Sequence, residues 1–117
     1  MTRRKEVGIW GEKMACEFLL RKGFVVVEKN YFATVGEIDI VAKHGGDYYF
    51  IEVKTRRAGD MANDLAITLN KKMKLEKTIR HYCYHRNIGD VGKILAGLMV
   101  VYNEQSKTVK FKMATIF

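Results

Sequence analysis

Apolar residues follow two different periods in the first third of the chain, and each period predicts a different element. Between residues 11 and 22 they recur at helical spacing, and Gly23 is a typical C-terminal stop for that helix. Residues 24–27 are short, apolar and rich in β-branched side chains, which predicts a strand. A loop through Asn30 and Gly36 then leads to the next apolar runs.

Two nearly continuous apolar runs flank Gly45 and Gly46, and they predict a β-hairpin in a sheet covered on both faces. Glycine reaches positive φ without a steric penalty, so a Gly-Gly pair between such runs indicates a tight turn. A loop of two or four residues centred on the glycines gives one and the same register. The opposed pairs are then Ala42 with Tyr49, Val41 with Phe50, Asp39 with Glu52, and Glu37 with Lys54.

The rest of the chain predicts one long helix and two strands. After a polar segment at 56–63, which ends near the candidate caps Asn63 and Asp64, apolar residues return at helical spacing. The members of that stripe are Leu65, Leu69, Leu75, Ile79 and Tyr82. Residues 94–102 read as a buried strand, and the alternation at 109–113 predicts a half-exposed last strand. The sequence therefore predicts an α/β fold with the order α-β-β-β-α-β-β.

Asp39 and Glu52 are the charged positions that the apolar pattern explains least. In the predicted register their Cβ atoms would be about 5 Å apart, where two carboxylates repel each other and desolvation adds to the cost. A divalent metal ion between them is the simplest remedy. The alternative is a structural salt bridge, in which Lys54 neutralises Glu37 or Glu52 at the sheet edge. Glu37 lies opposite Lys54, which favours a supporting ion pair over direct ligation.

A metal at these carboxylates suits the hydrolysis of a phosphodiester bond, because the reaction needs an activated water and compensation of developing negative charge. Asp39 and Glu52 would be the principal ligands of magnesium or manganese, and the carbonyl of Val53 would be a third. Lys54 shares the strand face of Glu52, so it can orient or deprotonate the attacking water.

Composition and charge indicate the kind of partner. A chain of 117 residues with 48% hydrophobic residues suits a single domain over residues 1–117. The net charge of +8 favours a polyanionic partner, most simply nucleic acid, with an acidic membrane surface as the weaker alternative. The sequence lacks an apolar run of transmembrane length, and its basic start does not lead into a signal segment, so we expect a cytoplasmic protein.

Basic side chains near the candidate site can follow a phosphate backbone, although a lysine-rich face is also typical of a solvated helix. The candidate nucleic-acid-binding residues are Arg56, Arg57, Lys71 and Lys72, with Lys74 and Lys77 as weaker candidates. His81 and His85 share a helix face at i and i+4. Cys83 points elsewhere, so a helix surface is favoured there over a zinc site.

Two segments carry a resemblance to a known family. The run Gly-Glu-Ile-Asp-Ile-Val at 36–41 and the run Phe-Ile-Glu-Val-Lys-Thr-Arg at 50–56 resemble the YraN-like family of small bacterial proteins, which looks like a branch of the PD-(D/E)xK nuclease superfamily. The likeness covers most of the chain. It extends to Gly8, Gly11, Glu12, Ala15, Leu19, Lys71 and Leu75.

Archaeal Holliday-junction resolvases are similar in the same segments, at the positions of Glu12, Asp39, Glu52 and Lys54. This resemblance implies that Glu12, on the first helix, joins the metal site directly or through water. The resemblance implies a restriction-endonuclease-like fold, in which a mixed central β-sheet is flanked by helices. It also implies a homodimer, since resolvase-like members of the superfamily act as dimers.

We therefore expect a magnesium-dependent endonuclease that acts on branched, flapped or otherwise structured DNA. Two other classes of function remain open. The first is a nucleic-acid-binding module that keeps the fold without cleaving. The second is an interaction protein whose basic surface binds an acidic partner. The presence of Asp39, Glu52 and Lys54 together favours the nuclease, whereas the choice between DNA and RNA is open.

Overall fold

The computed structural model describes residues 3–59 and 68–117. Two helices and five strands follow one another in the order predicted from the sequence. They are α1 (Arg3–Arg21), β1 (Val25–Ala33), β2 (Gly36–His44), β3 (Asp47–Arg57), α2 (Leu69–His85), β4 (Lys93–Asn103) and β5 (Thr108–Thr115). In the part of the chain that the structure describes, neither helix combines the length and the apolar character that crossing a bilayer requires.

The five strands form one mixed sheet in the order β1-β2-β3-β4-β5. Neighbouring strands are antiparallel except β3 and β4, which run parallel. A parallel pair needs a crossover connection, and α2 lies in that connection. A mixed central sheet flanked by helices is the fold that the resemblance implied, and that expectation is confirmed.

Each helix covers a different hydrophobic core. Leu75, Ile79 and Tyr82 of α2 pack with Val41 and Phe50 in one core cluster. A second cluster contains Ala15 and Leu19 of α1 together with Ile40, Ile51 and Leu98 from three neighbouring strands. The central strands are therefore apolar towards both helices, which explains why their sequences read as nearly continuous hydrophobic runs.

One glycine lets α1 approach the sheet closely. Gly11 is buried, and a Cβ atom at this position would overlap the hydroxyl of Thr55 on β3. The absence of a side chain therefore sets the distance between α1 and β3. The next residue on the helix is Glu12, which the same close approach brings to the end of β3.

Three predicted boundaries were wrong. Helix α1 begins at Arg3 instead of residue 11, and a run of charged residues at its start hid the helical spacing. Strand β1 continues to Ala33 through Asn30, which has a φ of 53°, and asparagine is one of the few non-glycine residues that tolerate this left-handed conformation. Strand β3 continues through Arg57, so Arg56 and Arg57 lie on a strand and not in a loop.

The start of α2 also differs from the prediction. Thr68 is the N-cap, and its side-chain oxygen accepts a hydrogen bond of 3.2 Å from the backbone N–H of Lys71. The candidate caps Asn63 and Asp64 lie outside the described residues, as does Leu65. Leu69 is 73% exposed, so the prediction that it belongs to the apolar stripe was wrong. The first turn of the helix instead places Lys71 next to the sheet.

Candidate active site

The predicted hairpin register is confirmed near the turn and ends just before the carboxylates. Val41 pairs with Phe50 and Ala42 with Tyr49, and both turn glycines, 45 and 46, have positive φ. The β2–β3 ladder stops at the pair Ile40–Ile51. The pairs Asp39–Glu52 and Glu37–Lys54 were predicted as ladder pairs, and that detail was wrong.

The ladder stops where the alternation of side chains along β2 is broken, at Asp39. Ile38 and Ile40 belong to opposite core clusters, although residues two apart in a regular strand face the same side. Where the next backbone bond would form, a carboxylate oxygen of Asp39 accepts a hydrogen bond of 2.8 Å from the N–H of Val53. Asp39 is thereby fixed beside β3 at the point where the two strands separate.

A cavity of about 700 Å³ opens at this separation of the strands. The charged side chains that line it include every catalytic candidate from the sequence. They are Glu12 from α1, Glu37 and Asp39 from β2, and Glu52, Lys54 and Arg57 from β3. Val53 lines the same cavity. The prediction that these residues share one cleft therefore agrees with the structure.

Among the described residues that line the cavity, four carry carboxylates and two are basic. Burial raises the pKa of Asp39 to about 6, the hydrogen bond from Val53 opposes the rise, and the charges of Glu12, Glu52 and Glu37 add to it. The pKa of Glu12 is raised as well, first by burial and to a lesser degree by Glu37, against the lowering effects of Lys29 and of a hydrogen bond with Asn30. Such a group of carboxylates favours a bound cation.

Glu52 already has a cationic partner, which comes from α2. The ammonium group of Lys71 forms a salt bridge with Oε1 of Glu52. The other carboxylate oxygen, Oε2, is buried and has no hydrogen-bond partner among the described residues. Burial lowers the pKa of Lys71, but its hydrogen bond to Glu52 and the charges of Glu52 and Asp39 outweigh that effect and raise it. Lys71 is therefore charged at neutral pH.

A smaller cavity of about 180 Å³ lies between the sheet and α2. Its lining includes Lys71 and Lys74 from the helix, and it shares Glu37, Asp39 and Glu52 with the larger cavity. The three shared carboxylates thus stand between the two cavities. Lys71 reaches them from the side opposite Glu12.

The donor set fits a hard divalent cation in chemistry but is not closed around one point. Asp39, Glu52 and Glu12 offer the carboxylate oxygens that magnesium and manganese prefer, and the orphaned oxygen of Glu52 lacks a partner. Over residues 3–59 and 68–117, however, no three His, Cys, Asp or Glu side chains are grouped closely enough to hold an ion as they stand. Ligation would therefore require side-chain movement, and at Glu52 it would have to displace the contact with Lys71.

The predicted nucleic-acid-binding residues are not all at the cavity. Arg57 lines the cavity, and the partly buried Arg56 is the residue before Arg57 on β3. Lys72 lies elsewhere, with its ammonium 4.8 Å from the ring centre of Phe117. Lys71 contacts Glu52, a role that the sequence reasoning missed. Lys71 precedes the buried Leu75 by four residues, and this helical spacing is the signal that could have placed it next to the sheet.

The two histidines of α2 form a pair on the helix surface. The rings of His81 and His85 are 4.2 Å apart, and Nδ1 of His81 is hydrogen-bonded to the hydroxyl of Tyr31 at 2.5 Å. Within the described residues no third ligand-type side chain completes a metal site there. His81 thus has a hydrogen-bond partner on β1.

Comparison with known proteins identifies the family. The model of the uncharacterised protein family UPF0102 matches residues 11–113. A UPF0102 protein of Dictyoglomus turgidum is 38% identical over 85 residues, which are 72% of each chain. One from Helicobacter pylori strain Shi470 is 45% identical over 81 residues, 69% of each chain. One from Roseiflexus castenholzii is 52% identical over 58 residues, so the match spans 50% of this chain and about half, 47%, of that relative.

The matched region contains Glu12, Asp39, Glu52, Lys54 and Lys71, and thus the whole candidate site. The resemblance inferred from the two sequence segments is confirmed at the level of the family. The chain belongs to the uncharacterised protein family UPF0102.

Proposed function

We propose that this protein is a metal-dependent nuclease that hydrolyses phosphodiester bonds, with structured or branched DNA as the expected substrate. The observation that carries the proposal is the cavity in which Glu12, Glu37, Asp39 and Glu52 meet Lys54. The charges of the neighbouring carboxylates help to raise the pKa of Asp39 to about 6, after burial, so the site favours an added cation. The lining holds four carboxylates and two basic residues, and this composition supports a bound cation over a purely structural salt bridge.

Asp39 and Glu52 are the residues that would hold magnesium or manganese, with Glu12 and the carbonyl of Val53 completing the set. A bound divalent ion would lower the pKa of a water molecule and offset negative charge on the reacting phosphate. Asp39 is the best-positioned ligand, because its hydrogen bond from Val53 fixes the carboxylate before any ion arrives. Glu37 would support the site by charge rather than by ligation.

Lys54 follows Glu52 by two residues on β3, and both line the cavity. It would orient the attacking water, accept the water's proton on a neutral amine as the oxygen–phosphorus bond forms, and return a proton to the leaving oxygen. The phosphorus–oxygen bond to the leaving group breaks in the same displacement, giving a phosphate monoester and a free hydroxyl. Arg57, on the same wall, would hold a phosphate of the substrate.

The basic charge of the chain supports nucleic acid as the substrate. A net charge of +8 attracts a polyanion to a cavity whose own carboxylates would repel it, and a metal ion would remove that local repulsion. Two alternative functions would use the same basic surface without hydrolysing a phosphodiester bond. A non-catalytic binding module would bind DNA without cleaving it, and an acidic protein partner would compete with DNA for the same basic residues.

Metal-induced stabilisation separates ligand residues from the residue that handles the proton. Thermal unfolding is measured with and without manganese for the wild type, Glu52→Ala and Lys54→Met. Manganese should raise the unfolding temperature of the wild type and of Lys54→Met but not that of Glu52→Ala, because only Glu52 supplies a ligand. Cleavage of a panel of branched and flapped DNAs should be lost in both variants. An identical response of all three proteins, with no cleavage by any of them, would contradict the proposal.

A further inference from the structure

We infer that Lys71 is a built-in cation of the site, which neutralises Glu52 until a divalent metal displaces it and which then binds a phosphate of the substrate. This inference rests on the proposed function and extends it. Lys71 would thereby couple two binding events: the metal releases the lysine, and the released lysine adds a contact to the nucleic acid.

The position of Lys71 supports the first half of this exchange. Its ammonium contacts one oxygen of Glu52, the residue that lies between the two cavities, and no hydrogen-bond partner among the described residues occupies the other oxygen. A divalent ion ligated by Glu52 would lie close to the ammonium group, and like charges at such a distance repel each other strongly in a partly buried site. Metal and ammonium would therefore compete for the same carboxylate.

The backbone near Lys71 supports the second half. The N–H of Lys71 is bound to the side chain of Thr68, so the first turn of α2 is anchored and only the side chain has to move. That side chain is 42% exposed, which leaves it a path away from Glu52 towards solvent. The long, flexible side chain of lysine can thus move its ammonium group from a carboxylate to a phosphate without any change in the fold.

The surrounding charges make the exchange reversible. When the metal leaves, Glu52 would again lack a cationic partner, and Lys71 is the cation from α2 that contacts it. Because coupling between two ligands is reciprocal, the nucleic acid should strengthen metal binding by the same factor by which the metal strengthens nucleic-acid binding through Lys71.

The first test is direct manganese binding, measured by the electron paramagnetic resonance signal of free manganese in the absence of nucleic acid. Lys71→Met should bind manganese about ten-fold more tightly than the wild type, because the competing cation is gone. Lys77→Met is the matched control: it removes the same charge from an exposed position of the same helix, and its affinity should stay within about two-fold of the wild type. Lys71→Gln serves as the second variant, and it decides the outcome if Lys71→Met fails to fold.

The second test measures the salt dependence of binding to a phosphorothioate-protected branched DNA, in EDTA and in manganese. Between these conditions the slope of log K against log salt should steepen in the wild type by about 0.9 more than in Lys71→Met, because one further phosphate contact forms only when Lys71 is released. Any contribution of the metal itself is common to both proteins and cancels in the comparison.

The results distinguish this inference from the proposed function. If the wild type binds manganese but the Lys71 variants bind it no more tightly, or if the change in slope is the same in both proteins, the exchange is overturned while the metal site stands. If the wild type binds no manganese, both the exchange and the metal-dependent nuclease are overturned. Tighter manganese binding together with the smaller change in slope supports the exchange.

Discussion

The carboxylate of Asp39 accepts a hydrogen bond of 2.8 Å from the backbone N–H of Val53, at the point where β2 and β3 stop pairing. A side chain thus takes the place of a backbone acceptor. This hydrogen bond satisfies the N–H of Val53 and fixes the carboxylate of Asp39 where the two strands open into the cavity. The buried position of Asp39 has an energetic cost that can be measured.

The ionised form of Asp39 should destabilise the metal-free protein above pH 6. The pKa of Asp39 is about 6 in the folded state and near 3.8 when the group is unperturbed. Below pH 3.8 the group is protonated in both states and contributes nothing to the difference. Between these values only the folded state keeps its proton, so the penalty grows as the pH rises and is complete above pH 6. It amounts to roughly 2–3 kcal/mol.

Asp39→Asn should therefore stabilise the protein in EDTA at pH 8, while the stabilisation should largely disappear near pH 4. Asparagine keeps an oxygen that can accept the hydrogen bond from Val53 but carries no charge. Denaturant unfolding at the two pH values measures the difference, and Asp90→Asn, at an exposed position, is the control. A loss of stability at pH 8 would show that the carboxylate is already neutralised inside the protein.

Glu12 should influence Asp39 through charge alone. Its carboxylate helps to raise the pKa of Asp39, after burial, so Glu12→Gln should lower that pKa below about 6. An NMR titration of the Asp39 carboxyl carbon measures the shift. Glu17→Gln removes a charge from an exposed position of the same helix and should leave the Asp39 titration unchanged. Equal shifts in the two variants would mean that Glu12 does not face the cavity.

Two glycines of α1 should respond to alanine in opposite ways. Gly11→Ala would drive a methyl group into the side chain of Thr55, and it should destabilise the protein by roughly 1–3 kcal/mol. Gly8→Ala meets no atom within 4 Å and should stabilise the helix by up to about 1 kcal/mol. Thr55→Ala should partly rescue Gly11→Ala, because it removes the overlapping hydroxyl. Chemical denaturation of the wild type, the two glycine variants and the double variant measures these effects. A similar loss of stability in Gly8→Ala and Gly11→Ala would refute the close packing of α1 on β3.

Arg57 should contribute one phosphate contact in the complex with nucleic acid. Arg57→Gln is expected to weaken binding uniformly across sequences and to reduce the slope of log K against log salt by about one. Fluorescence anisotropy with a labelled branched DNA between about 50 and 200 mM salt measures the slope. Lys110→Gln, on the exposed face of the edge strand β5, removes the same charge and serves as the control. Equal slopes for the two variants would place the DNA away from the cavity.

Much of the fold could be predicted from the sequence because local signals agree with it. The Gly45-Gly46 turn fixes the register of the hairpin as far as Ile40 and Ile51, and the continuous apolar runs require a helix on each face of the sheet. The break in pairing at Asp39 could not be predicted, because it depends on Ile38 and Ile40 entering different cores. A two-residue pattern of apolar positions carries no information about where this alternation of side chains breaks.

The candidate site could also be predicted in part. Asp39, Glu52 and Lys54 lie on two adjacent strands, so hairpin geometry brings them together, and the resemblance added Glu12 from a distant helix. The salt bridge between Lys71 and Glu52 was not predicted, and the sequence analysis placed the helix cap at Asn63 or Asp64 instead of Thr68. Lys71 precedes the buried Leu75 by four residues and therefore shares its helix face, but the sequence does not tell which strand the first turn of α2 approaches.

Cleavage of an end-labelled panel of branched, flapped and duplex DNAs and their RNA counterparts tests the central claim most directly. In the presence of magnesium or manganese, the wild type should cut at least one structured substrate, and EDTA should abolish the reaction. Folded Glu52→Ala and Lys54→Met proteins, purified in the same way, should not cut it. If the wild type cuts no nucleic acid in the panel, or if both variants cut as fast as the wild type, then the carboxylates and lysine of this cavity do not form a nuclease active site.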